Sequence, residues 1–136
     1  MNKMMGVKYG GGLRCFATHT KSGVTTMTDA PPDNHGKGES FSPTDLLCTS
    51  LACCMITLMG ITADQKEIVL GNIDADIEKI MASNPRRVEE IKIHLRIQDQ
   101  NYTEREKSIL ENAAKTCPVA KSLSAELIQT LSFEYV

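Results

Sequence analysis

Hydrophobic and polar positions change their period several times along this chain, and each change marks an element. Residues 13–20, LRCFATHT, alternate, and residues 24–29, VTTMTD, alternate again after the turn residues KSG. With the short apolar start VKYGG before them, they predict that the first third is β. Residues 30–39, APPDNHGKGE, hold two prolines and two glycines and predict an exposed loop. A helix should follow: Ser42 suits the N-cap, Pro43 the first helical position, and Asp45 can reach back to close a capping box. It should run to about residue 60, where Gly60 weakens it.

Period-2 patterning returns in IDADIEKIM (73–81) and VEEIKIHLRI (88–97), where Ile91, Ile93, Leu95 and Ile97 share one face. The intervening SNPRR reads as a turn, so these two runs predict a long antiparallel hairpin. A second capping box, Thr103 to Glu106, starts a helix through about Lys115. Pro118 then opens a short helix with Cys117 at or beside its N-cap, and QTLSFEYV should return as a strand. With no repeat, low-complexity tract or linker, these elements predict one α+β domain over residues 1–136.

Composition narrows the function. A net charge of −2 with interleaved signs lacks the basic stripe of a nucleic-acid binder, and six Phe and Tyr with no Trp offer little for base stacking. Residues 46–63 carry no charge and approach the lower limit of a membrane span. Thr49, Ser50, Thr57, Gly60 and Thr62 dilute that run, and Asp45 and Asp64 flank it, so a core helix is expected rather than a span. The first twelve residues have no apolar run or cleavage site and are not expected to be a signal peptide. Five cysteines, an odd number, then suggest thiols in a reducing cytoplasm.

Those cysteines are the candidate chemistry. Cys117, at a helix N-terminus, lies near unsatisfied N–H groups that favour a thiolate, although a small buried filler before a proline is the plainer alternative. Cys53 and Cys54 fall about three turns inside the central helix, beyond reach of its dipole. Buried there, either would have a raised pKa and stay inert unless a cation approached. The helix has no cation between Asp45 and Asp64, so one must come from the β segment or another chain. Arg14 is a candidate, and Glu39 could hold its guanidinium in a bidentate pair; the alternative places both on the solvated surface. A metal site is not indicated, because there is no C-x-x-C and His19, His35 and His94 are scattered. A disulfide within the helix is disfavoured, since Cys48 lies about 120–140° around it from Cys53 and Cys54. A reversible disulfide would take Cys117 as its partner.

In this order and spacing, SPTDLLCTSLACC and CPVAKSL resemble the OsmC/Ohr family, whose members include thiol-dependent hydroperoxide reductases. The similarity extends over nearly the whole chain, from the leading β-meander to the closing strand. It implies an α+β fold with antiparallel sheets wrapped around two central helices in an intertwined homodimer. The family's first cysteine stands about eleven positions after the proline, which maps to Cys54 rather than Cys53, and the second precedes a proline, which maps to Cys117. The family's activating glutamate maps to Glu39 and its arginine to Arg14. The resemblance thus implies a peroxidase with a peroxidatic Cys54, a resolving Cys117, no cofactor, and a dithiol reductant such as a lipoylated protein. Met55 departs from the aromatic residue usual after the central cysteine of the organic-hydroperoxide branch, and Cys53 is extra. A non-catalytic redox sensor or a binder of small apolar molecules on the same fold is the competing expectation.

Overall fold

The alternation in the first thirty residues becomes a three-stranded antiparallel sheet, β1 (Met5–Gly11), β2 (Arg14–His19) and β3 (Thr25–Asp29), in that order. In the computed structural model, which describes residues 1–136, this sheet belongs to the first of two compact units, Met1–Leu47 and Cys48–Val136. The β1–β2 turn passes through positive φ at Gly11, Gly12 and Leu13. Two of these three are glycines, which enter that region without a Cβ penalty.

After a short 3₁₀ turn at Pro32–Asn34, the chain returns along β3. The Asp29 N–H donates to the Phe41 carbonyl at 3.0 Å, and the Ser40 hydroxyl donates to the Met27 carbonyl at 2.8 Å. This return leads into α1 (Pro43–Lys66) through the expected cap. The Asp45 N–H donates to Ser42 Oγ at 3.0 Å, and the Ser42 N–H donates to Asp45 Oδ2 at 2.9 Å. An aspartate thus closes the box in place of the usual glutamate or glutamine.

Gly60 does not end α1, which continues to Lys66. A glycine costs a helix only about 1 kcal/mol relative to alanine, and no proline follows to stop it. The stop comes at Glu67, with φ of 56°, where the Ile68 N–H bonds back to the Ala63 carbonyl at 2.9 Å. This is a Schellman-type ending with glutamate in the left-handed position that glycine usually takes.

In the second unit, β4 (Ile73–Ala82) and β5 (Arg87–Ile97) form the expected hairpin, with Ile77 opposite Ile93. Ile91, Ile93, Leu95 and Ile97 are all buried on one face. They share a core with Leu51, Met55, Met59 and Ala63 of α1 and with Leu110 and Ala114 of α2 (Glu104–Ala114). The α1 residues recur every three to four positions, so one stripe of this helix faces the sheet. Each large aliphatic side chain buried there contributes about 1.5–3 kcal/mol of transfer free energy. By length and composition α1 could cross a membrane, but a third of its apolar window is buried in this fold.

The closing strand, β6 (Ile128–Tyr135), pairs with β5 in parallel, with Ile93 opposite Leu131. The sheet is therefore mixed, where antiparallel sheets were expected. The cause is the connection: α2 and α3 (Pro118–Ser122) lie between β5 and β6, and a helical crossover carries the chain back to the starting end of its neighbour. Alternation within β6 specifies its inward face, not its direction.

Candidate active site

Two groups of polar side chains stand out, one in each unit. In the second unit, α1 carries Cys54, half-buried on the flank of its core stripe. Cys117 is the N-cap of α3, and its sulfur accepts from the Ala120 N–H at 3.4 Å. Pro118 at the first helical position has no N–H to satisfy, and this helps fix the turn that aims Cys117 inward. The structure brings Cys54 and Cys117 near each other, close enough for Cys54 to act on the Cys117 pKa.

The expected thiolate preference of Cys117 is overturned. Its pKa is raised, first by burial and next by the neighbouring Cys54 thiol, and the N–H groups of Ala120 and Val119 offset this only in part. Cys117 is fully buried, and a helix of five residues offers little dipole against that desolvation. Burial favours the neutral, proton-bearing form at this position.

The other cysteines take different environments, and all five are thiols. Cys53 is exposed, not buried as expected, because it falls on the opposite side of α1 from the core stripe. Cys48 belongs to the core, and Cys15 lies half-buried on β2. Near the pair, a cleft of roughly 290 Å³ is lined by Met55, Lys115, Ala120, Gln129 and Leu131. It adjoins the chain neighbours of both sulfurs, since Met55 follows Cys54 and Ala120 donates to Cys117. No group of three or more His, Cys, Asp or Glu side chains is arranged to hold a metal ion.

In the first unit, Arg14 makes a bidentate pair, but not with Glu39. Arg14 Nε donates to Asp29 Oδ1 at 2.7 Å, and Nη2 donates to Asp29 Oδ2 at 2.8 Å. Glu39 reaches Arg14 Nη2 only at 3.6 Å, through a side chain that is 62% exposed. The correction has a geometric cause. Arg14 and Asp29 are direct cross-strand partners on β2 and β3, whereas Glu39 stands in a loop. The Glu39 backbone nevertheless joins the group, its N–H donating to Asp29 Oδ2 at 3.0 Å.

Electrostatics follow the contacts. The hydrogen bonds from Arg14 hold the Asp29 carboxyl below the usual carboxylate range, with smaller help from the Glu39 N–H and Lys37 and against the opposing effect of burial. Asp29 in turn raises the Arg14 pKa further, chiefly through the same hydrogen bonds. Asp29 is the polar residue that the sequence reading missed. Its signal was available, because Arg14 and Asp29 stand equidistant from the midpoint of TKSG (20–23), one residue wider than the KSG turn, and a hairpin centred there pairs them.

Comparison with known proteins bears on the family and the fold. Residues 36–131 match the family model described as OsmC-like protein. A Psychrobacter arcticus protein, named for osmotic stress induction and a detoxification response, is 44% identical in sequence. The alignment covers 98% of this chain and 96% of that one, with a TM-score of 0.92. An organic hydroperoxide resistance protein OsmC from Legionella pneumophila shares the fold at 18% identity, with a TM-score of 0.76 and 98% of each chain covered. An organic hydroperoxide resistance protein from Elizabethkingia anophelis does so at 15% identity, with a TM-score of 0.70, over 100% of this chain and 99% of that one. No curated protein sequence matches the chain.

Proposed function

Because the chain belongs to the OsmC-like protein family, we propose that it is a thiol-dependent peroxidase that reduces organic or hydrogen peroxides through Cys54 and Cys117. The observation that carries this reading is the proximity of two thiols of unlike character. Cys54 is partly accessible at the flank of α1, and Cys117 is buried near it with its pKa raised.

In the proposed cycle the Cys54 thiolate attacks one peroxide oxygen. The O–O bond breaks, an S–O bond forms, and the departing alkoxide or hydroxide takes a proton to leave as alcohol or water. Cys54 is then a sulfenic acid. The Cys117 sulfur displaces its hydroxyl, which leaves as water with the Cys117 proton, and a Cys54–Cys117 disulfide forms. A dithiol, with a lipoylated protein as the proposed class, returns both thiols by exchange and becomes a disulfide itself. Keeping Cys117 protonated until the sulfenic acid appears suits a resolving thiol, and a partner already in contact limits further oxidation of Cys54.

Cys54 lies too deep in α1 for the helix dipole to activate it. The proposed activator is Arg14, with Glu39 beside it, which stabilises the thiolate by charge. A second copy of the chain is proposed to complete the site as a homodimer. Leu47 and Ile61 on α1 and Met5, Val7 and Tyr9 on β1 are exposed apolar positions that such a partner would cover. The cleft lined by Met55, Ala120 and Leu131 offers apolar contacts to an alkyl peroxide, with Lys115 and Gln129 at its polar side. The test is consumption of an organic hydroperoxide in the presence of a dithiol. Wild type is expected to turn over and a folded Cys54→Ser variant to be inactive; equal rates would refute the proposal.

A further inference from the structure

We propose that Asp29 is the positioning residue of this site, holding Arg14 and the Glu39 backbone in one fixed arrangement. The inference rests on the proposed activation of Cys54 by Arg14 and adds the residue that sets the arginine's geometry. Asp29 is only 1% exposed. Its Oδ1 accepts from Arg14 Nε, and its Oδ2 accepts from both Arg14 Nη2 and the Glu39 N–H, at 2.7, 2.8 and 3.0 Å. One carboxylate therefore ties together both residues proposed to activate the thiol.

The support beneath Asp29 is as firm as the contacts it makes. Its backbone is paired to Arg14 across the β2–β3 ladder on one side. On the other side its N–H is bonded to the Phe41 carbonyl, in the segment that leads into the α1 cap. Glu39 has neither advantage, because its carboxylate ends a longer, mostly exposed side chain at 3.6 Å from Nη2. A long exposed side chain loses more rotamer freedom to hold one geometry, and its ion pair contributes little. The geometry also leaves work for the arginine. Asp29 occupies the Nε–Nη2 edge of the guanidinium and leaves Nη1, on the far side of the fork, outside the pair. Asp29 does not touch the reacting atoms; it acts through Arg14.

The experiment compares wild type with Arg14→Met, Asp29→Asn, Asp29→Glu and Glu39→Gln, each checked for folding by circular dichroism. Two quantities are read: the second-order rate of Cys54 oxidation by an organic hydroperoxide, and the pH midpoint of Cys54 alkylation followed on its own peptide. Misplacing a positioned charge by about 1 Å lowers rates on the order of 10²-fold. Asp29→Asn is therefore expected to approach Arg14→Met in rate and to move the alkylation midpoint upward. Glu39→Gln is expected to have a smaller effect. Asp29→Glu keeps the charge while displacing the fork by one methylene, so it tests placement even if Asp29→Asn does not fold, and it should also slow oxidation. On an Arg14→Met background, Asp29→Glu should add nothing further. A folded Asp29 variant with the wild-type rate and midpoint, beside an impaired Arg14→Met, would overturn the role of Asp29 alone. A wild-type rate in Arg14→Met would overturn the activation by arginine on which it rests.

Discussion

Replacing Cys117 by alanine separates the two halves of the proposed cycle. The first half, attack of Cys54 on peroxide, does not use the Cys117 sulfur, so a folded Cys117→Ala should still consume about one equivalent of peroxide per chain at a rate near wild type. The second half is lost, because no thiol remains in contact with the sulfenic acid. Steady-state turnover should collapse after that burst, and Cys54 should advance to the sulfinic acid under excess peroxide. The structural effect can be bounded. Cys117 is fully buried, its sulfur accepts one N–H from Ala120 as the α3 cap, and Cys54 lies beside it. Loss of a side-chain cap costs about 0.5–2 kcal/mol. A change of 1 kcal/mol corresponds to a drop of about 4 °C in Tm for a domain of this size, so the variant should remain folded at 25 °C. Stopped-flow peroxide consumption with mass analysis of the Cys54 peptide reads both halves. Continued multiple turnover at the wild-type rate by folded Cys117→Ala would refute the assigned role.

Two further outcomes follow from the fold. Leu95 is fully buried on β5 among residues from α1 and α2, so Leu95→Ala should lower unfolding free energy by about 2–5 kcal/mol in a denaturant titration; a loss below 1 kcal/mol would mean that this core is loosely packed. Burial raises the pKa of Cys117 and, with the hydrogen bond to Glu111, that of Tyr135. Both groups bind their protons more tightly folded than unfolded, so their stabilisation is full below the ordinary values of 9.0 and 10.0 and is lost as pH rises past them. Stability measured by chemical denaturation should therefore fall from pH 9 upward, and a flat profile through pH 11 would contradict the burial of these groups.

Much of this was legible from short-range chemistry. Both capping boxes form as read, because Ser42–Asp45 and Thr103–Glu106 satisfy the same local geometry in any surroundings. The 73–97 hairpin follows from alternation on both sides of a proline turn, interrupted by a register shift between Ile80 and Met81. What escaped depended on competition between effects or on the path of the chain. Gly60 is a weak helix former by itself, yet Met59 and Ala63 pack into the core on either side of it and α1 continues past it. The N-cap position of Cys117 was legible, but the balance between dipole and burial was not, because burial depends on residues distant in sequence. The direction of β6 is set by the helical crossover rather than by its own pattern. At the arginine, the family position points to Glu39, while the β2–β3 register pairs it with Asp29.

The central claim, that Cys54 and Cys117 act as a redox pair, is tested most directly by oxidising the reduced protein with one equivalent of an organic hydroperoxide. Intact mass and a disulfide map are then taken. The account predicts rapid loss of two hydrogens and a single new bond between Cys54 and Cys117, with Cys15, Cys48 and Cys53 still thiols. No oxidation, or slow oxidation spread over all five cysteines, would contradict it.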